Sequence, residues 1–586
     1  MIIKLIKRYR TLCSALSVLL AMIAAPYLLP VNPDSMAFRS GTFGLFLLIM
    51  TAIPHKRALE RHSPRALAYG AALAFIFSIC LSLGSELRVY SQLLPGFGSM
   101  IRRLAVPCMT VPLLGGLFSY LFFHPSESVP SRNRTITFRS FFMLFACCYS
   151  AILLALYPGV ISYDFQHEIK QFSEWSFQAA HPVFHTLFLG SLFKLGEWIW
   201  GSMTAGAAFY NAVQMLLLAA MLAWTCTFVQ KRVPYRWVVL LLAACFAFLP
   251  MHGVLAVSTS KDPLFAGLCT ILCLQLWEIA ECPQSFLASK ARMLRFALTC
   301  LFAGLLRHNG IFAYAPACIA LLLIIRRKKA FCAVLVTLLL TLGIPKGLET
   351  MMHASKTPSS EMMSIPCQQL MRTAHLGNLP EDEFSQIERW FPNATHTYRA
   401  NCADPAKGGN FNFYRYQNDP MDFWTTYVKY ALKYPRIYAE AFLENCIGLW
   451  YPDDISHAHT LSNEEWTYIY LNTTYPFAPD TYPIEPDCKF PALQKILYAS
   501  THYSKHQAYP FLSQLFCPAT YSFLLLLTTL MLLYKKCRHF ALCTLPMWGI
   551  FISLLFSAGI FIRYAYPLMT CVPLLFSLAC FSRQDT

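Results

Sequence analysis

The stretch "FFMLFACCYSAILLALYPGVISYDFQHE", residues 141–168, carries no charge from Phe141 to Tyr163 and then meets Asp164, His167 and Glu168 in quick succession. Its apolar part suits a bilayer, whose hydrocarbon core of about 30 Å takes roughly 20 residues of helix. Charge set directly after such a segment is either plain surface or a place where chemistry happens.

Blocks of the same kind recur along the 586 residues, which are 56% hydrophobic and 13% charged, with a mean hydropathy of +0.45. That apolar content exceeds what a soluble core of this size needs. Long runs of Leu, Ala, Phe and Ile indicate helices, and the alternating strands of a membrane barrel, about 10 residues each, are absent. The expected fold class is mostly α, a polytopic transmembrane helical protein. Candidate spans are 12–30, 41–54, 66–84, 104–123, 140–157, 205–229, 237–256, 263–281, 294–307, 310–325, 330–346, 514–534, 539–557 and 562–581, fourteen in all. The basic and then apolar opening reads as an uncleaved first helix rather than a secretory signal, since a further hydrophobic block follows at once.

The net charge of +17 resides mostly in short loops, which removes nucleic acid as the expected partner. With a cytoplasmic N-terminus, "KLIKRYR", "HKRALERHSPR", "SRNRTITFR", "KRVPYR", "SKARMLR", "RRKK" and "KKCR" all fall on the cytoplasmic side. This is the positive-inside pattern, and it puts both termini in the cytoplasm of a multi-pass cell-membrane protein. The alternation requires "HPVFHTLFLGSLFKLGEWIW", residues 181–200, to be an interfacial helix inside an extracytoplasmic loop, 157–203.

Four regions follow: a four-span extension, 1–139; a transmembrane core, 140–346; an extracytoplasmic α-rich domain, 347–512; and a three-span segment, 513–586. In the polar domain, "DFWTTYVKYALKYPRIYAEAFLENCIGLWYP" predicts two short amphipathic helices broken near Pro435. Its cysteines, Cys367, Cys402, Cys446 and Cys488, are candidates for disulfides on an oxidising side, with three pairings open.

Four polar groups map to the extracytoplasmic face: "SYDFQHE" at 162–168, "STSKDP" at 258–263, "LLRHNG" at 305–310 and "IRYAYP" at 562–567. Asp164 and Glu168, four apart on a helix, share a face and suit a general base or a cation site. His167 reads as a positioning residue. His181 and His185 repeat that spacing, but two imidazoles without a third ligand make a weak metal site, so a structural role is expected. Lys261 and Asp262 read either as a local ion pair at a helix start or as functional groups. Arg307 has the fork geometry for phosphate, and Arg563 with Tyr564 opens the last span, where Arg and Tyr also serve as interface anchors.

In this order the motifs resemble the GT-C superfamily of membrane glycosyltransferases, including its protein mannosyltransferase and aminoarabinose transferase branches. "YDFQHE" followed by "AAHPVFHTLF", then "SKDPLF", "LLRHNGIFAYAP" and "IRYAYPLMTCVPLLF", covers residues 140–581 in outline and looks most like a bacterial group within that superfamily. The first four spans depart from the common core. The resemblance implies a GT-C-like core and a polyprenyl-phosphate-linked sugar as donor, with the tail in membrane lipid. It also implies transfer to the hydroxyl of an extracytoplasmic glycan, lipid or protein. Asp164 would be the catalytic base, and Arg307, Lys261 and Arg563 would hold the donor phosphate. Glu168, His167, His181, Asp262 and Tyr564 would position substrate. No cofactor is implied with certainty; a divalent cation, Mg or Mn, held by Asp164 and Glu168 is one option. A lipid-linked oligosaccharide polymerase or ligase is the competing reading, disfavoured by the early Asp164 motif. A lipid or glycan transporter would instead place its charges near mid-membrane.

Overall fold

The computed structural model describes residues 9–28, 55–56, 59, 63–122, 135–356, 362–392, 397–408, 410–452, 484–501 and 514–582. Among these the chain is helical almost throughout, with isolated β-bridges in place of strands. The apolar runs form α1 (Arg10–Leu28), α2 (Pro64–Tyr90), α3 (Phe97–Leu121), α4 (Phe138–Ala155), α5 (Tyr163–Ser173), α6 (Val183–Trp200), α7 (Met203–Gln230), α8 (Arg236–Phe248), α9 (Pro250–Ala256) and α10 (Asp262–Glu281). They continue as α11 (Lys290–Leu306), α12 (Ile311–Ile324) and α13 (Lys328–Met351). After a polar helical region come α17 (Pro518–Tyr534), α18 (Leu545–Leu555) and α19 (Ile562–Phe581).

Eight described helices are long and apolar enough to cross a membrane, or nine if the bent pair α8 and α9 is one span. This is a polytopic helical membrane protein. Of the fourteen expected spans, 41–54 lies outside the described residues, and those at 294–307, 310–325 and 514–534 fall on helices of 17 residues or fewer, so the described residues do not reach that count. The α8–α9 bend is 56° and has a local cause. Pro250 lacks an amide hydrogen, and Leu249 before it adopts the extended conformation that a following proline favours.

The most enclosed spans are α10, 83% buried over its apolar window, and α19, 78% buried. They pack on each other, with Thr270 and Thr570 hydroxyls 3.1 Å apart across the contact, and small residues such as Ala266, Cys269 and Cys571 lie in the same core. By contrast α13 is 17% buried and peripheral. Polar motifs at the starts of α10 and α19 are thereby delivered to the middle of the bundle.

The polar region has a separate aromatic core of Trp390, Phe391, Phe411, Phe423 and Tyr430. Its helices include α14 (Ser364–Leu376), α15 (Pro420–Lys433) and α16 (Pro435–Asn445). The last two meet at Tyr434, so the break expected near Pro435 is present. No disulfide forms among the described residues. Cys367, Cys402 and Cys446 are instead buried, consistent with cysteine acting as a small apolar side chain. Backbone bonds stitch this region to the bundle: Ser355 pairs with Phe177 and Ala179, Ala403 N–H donates to the Ala558 carbonyl at 2.6 Å, and Asp487 N–H donates to the Tyr157 carbonyl at 3.0 Å.

Candidate active site

The loop after α4 turns at Gly159, whose φ of +112° lies in the left-handed region. A Cβ there would collide with the Asn211 side chain and the Val257 carbonyl, so only glycine fits. Asn211, from inside α7, donates to the Pro158 carbonyl at 2.9 Å. Val160 then pairs with the 257–259 segment, and Ser162 N–H donates to Thr259 Oγ1 at 2.8 Å. These bonds set the start of α5 beside the start of α10.

Across that junction Lys261 Nζ donates to Asp164 Oδ2 at 3.1 Å, to Glu168 Oε1 at 3.4 Å and to His181 Nδ1 at 3.4 Å. Asp164 and Glu168 thus share one helix face, as their spacing requires. Arg563 Nη1 lies 3.5 Å from the same Asp164 oxygen. Arg307 belongs to the cluster through Asp262, with Nη1 2.7 Å from Oδ1, while Ser260 Oγ donates to the other Asp262 oxygen at 2.8 Å. Both guanidinium carbons sit over the Tyr564 ring, at 4.6 Å for Arg307 and 4.7 Å for Arg563. Tyr564 therefore holds two like charges together through its π face.

Two partner choices go beyond what residue spacing decides. Lys261 and Asp262 are adjacent but not paired: Lys261 goes to Asp164 and Glu168, and Asp262 goes to Arg307. His181 and His185 do not share a helix face, because α6 begins only at Val183 and His181 lies before it, yet both reach the Glu168 carboxylate, His181 Nδ1 standing 3.8 Å from Oε1. His181 faces Lys261, whereas His185, fully buried, donates from Nδ1 to Glu168 Oε2 at 2.5 Å. His167 is exposed at the edge of the site, its ring parallel to that of His181 at 6.4 Å.

His185 and the residues behind it were not read as site residues. His185 Nε2 meets Tyr210 OH at 3.0 Å, Tyr210 donates to Gln214 Oε1 at 2.7 Å, and the Gln214 amide donates to the Ser258 carbonyl. Tyr210, Asn211 and Gln214 are polar side chains within an otherwise apolar helix, and that exception was the available signal.

Burial would raise the Asp164 pKa, but Lys261 and Arg563 outweigh it and hold the carboxylate well below its usual range. Burial also works against ionised Glu168; His185 and Lys261 prevail and bring it down to about 2. Because the folded value lies below the ordinary 4.5, ionised Glu168 stabilises the fold above pH 4.5, and that contribution is lost as pH falls toward 2. The thermal midpoint in detergent should therefore drop between pH 5 and pH 3. Glu168→Gln should show a lower midpoint at pH 7 and a shallower acid slope; an unchanged slope would remove Glu168 from the transition.

Asp164, Glu168 and His181 offer ligand atoms within 4.8 Å of one another, and their oxygen and nitrogen donors are of a kind Mg or Mn accepts. The Lys261 ammonium, however, lies within 3.1–3.4 Å of all three and supplies the positive charge there. A divalent ion at that point would meet a like charge at contact distance, so the arrangement does not fit a resident metal.

A family model described as a family of unknown function, DUF6020, matches residues 173–586. No curated protein and no solved structure matches the chain.

Proposed function

We propose, for a chain that belongs to the DUF6020 family of unknown function, that the cluster transfers a sugar from a polyprenyl-phosphate donor to an acceptor hydroxyl. One observation carries the reading: three cations, Lys261, Arg307 and Arg563, gather with the carboxylate of Asp164 where the two most enclosed membrane helices begin. The amino ends of α10 and α19 add the partial positive charge of their unpaired amides. A lipid phosphate with its tail in the bilayer suits such a place, and the GT-C-like order of motifs points to the same chemistry. The positive-inside pattern puts the site on the extracytoplasmic face, below the polar region, with fourteen spans in the whole chain.

In the reaction the acceptor oxygen forms its bond to the anomeric carbon while its proton passes to Asp164. The bond from that carbon to the phosphate oxygen breaks, and the electron pair leaves with the lipid phosphate. Arg307 and Arg563 stabilise the charge that builds on that oxygen, where fixed donors act most strongly. Glu168, anchored by His185, keeps Lys261 at the site.

The test is transfer or hydrolysis from a radiolabelled polyprenyl-phosphate-sugar panel by purified protein in lipid nanodiscs. Arg307→Ala should lower release by about 10²-fold or more while the fold is retained. Absence of release from every donor by wild-type protein would sink the reading.

A further inference from the structure

The resting site presents a conflict that its geometry also resolves. Asp164 is the group placed to accept a proton, yet Lys261 and Arg563 both lie on its Oδ2. The same cations are the ones an incoming phosphate would recruit. They are not equally held. Arg307 is pinned by buried Asp262 and stacked on Tyr564, and Arg563 is stacked on the same ring with Nη2 donating to the Tyr564 hydroxyl at 3.1 Å. Lys261 has a flexible four-carbon stem, stacks on no ring among the described residues, and divides its bonds, at 3.1–3.4 Å, among three different partners. Its backbone is fixed at the start of α10, so the ammonium can swing while its origin stays in place.

We propose that the donor phosphate and the Asp164 carboxylate compete for Lys261, so that donor binding releases Asp164 for proton acceptance and must precede reaction of the acceptor. The inference rests on the lipid-phosphate reading above. Before donor arrives, the carboxylate is neutralised by its neighbours and is a poor base. Once a phosphate oxygen takes the ammonium, Asp164 loses its strongest partner, and its affinity for the acceptor proton rises. Glu168 keeps its 2.5 Å hydrogen bond to His185, so it retains a partner when Lys261 leaves. The site thus acquires its base only when a leaving group is present.

The competition is measurable without any transfer. Affinity for polyprenyl monophosphate in nanodiscs is compared for wild type, Asp164→Asn, Lys261→Met and the double variant, each checked for a monodisperse, cooperatively melting fold. Asp164→Asn should bind the lipid phosphate about tenfold tighter and Lys261→Met about tenfold weaker, each near one factor of ten in the equilibrium constant. Simple repulsion between Asp164 and phosphate would also tighten binding, and the double variant separates the causes. Competition predicts that the gain from Asp164→Asn shrinks to less than about threefold once Lys261 is gone, whereas repulsion predicts the same gain in both backgrounds. Equal gains, or an Asp164→Asn protein that binds no tighter than wild type, overturn the proposal and leave the donor reading standing. Failure of wild-type protein to bind lipid phosphate overturns the donor reading itself. If Lys261→Met does not fold, Lys261→Gln takes its place in the cycle.

Discussion

Asp164→Asn, reconstituted in lipid, should lose sugar transfer by about 10³-fold, within the 10²–10⁴ range that a positioned general base contributes. The change keeps the shape of the side chain and still offers an oxygen to Lys261, so the starts of α5 and α10 stay together through Val160, Ser162 and Thr259. What it removes is the carboxylate that the proposed reaction uses to take the acceptor's proton. The loss should fall on kcat, with the donor KM unchanged or lower, because the neutral amide competes for the ammonium more weakly than the carboxylate does. A rise in donor KM at constant kcat would reassign Asp164 to donor binding. Asp164→Glu should recover little, since the longer side chain would displace Lys261.

The second large effect is on stability and involves none of the residues of the charge cluster. Arg372, on α14, is fully buried, with Nη2 3.2 Å from Glu440 and Nη1 paired to Glu444. It also donates to Tyr398 OH at 3.0 Å and to the Ser91 carbonyl at 2.6 Å, the latter in the turn between α2 and α3. Arg436 and the Leu93 amide converge on the other Glu440 oxygen, at 2.8 and 3.0 Å. One guanidinium thus joins the polar helical region to the amino-terminal hairpin. Arg372→Met takes the paired guanidinium from Glu444 and leaves Glu440 with Arg436 alone, and stranding a buried charge in this way costs about 3–5 kcal/mol. The thermal midpoint should fall by several degrees or more, and the yield of monodisperse protein should fall with it. Adding Glu444→Gln to Arg372→Met should restore part of the loss; if the double variant melts no higher than the single one, stranded charge is not the cause.

Much of this arrangement was legible in the sequence because it is local. Spacing of four put Asp164 and Glu168 on one face, proline fixed the break after Tyr434, and apolar blocks located the membrane helices. The order of the four polar motifs identified residues that do meet in space. What local pattern did not give was partner choice. Lys261 and Asp262 read equally as a local pair or as functional groups, and at the helix start the adjacent side chains diverge, each meeting an opposite charge from another segment. His181 and His185 looked equivalent under helical spacing, and the helix boundary between them put His181 beside the ammonium, 3.8 Å from Glu168 Oε1, and His185 in a 2.5 Å bond to Glu168 Oε2. The polar ladder of Tyr210 and Gln214 sat in a span read only for its hydrophobicity.

The packing of α10 against α19 also has a consequence for how the molecule is made. Lys261 and Arg563 flank one carboxylate but come from widely separated parts of the chain, so synthesis at about 5–20 residues per second leaves an interval on the order of tens of seconds between them. Throughout that interval the face of α10 that will meet α19 must be sheltered by the insertion machinery or by lipid. A nascent chain therefore lacks one of the cations around Asp164 until its last described helix is seated, and the ribosome's own progress times the completion of the cluster.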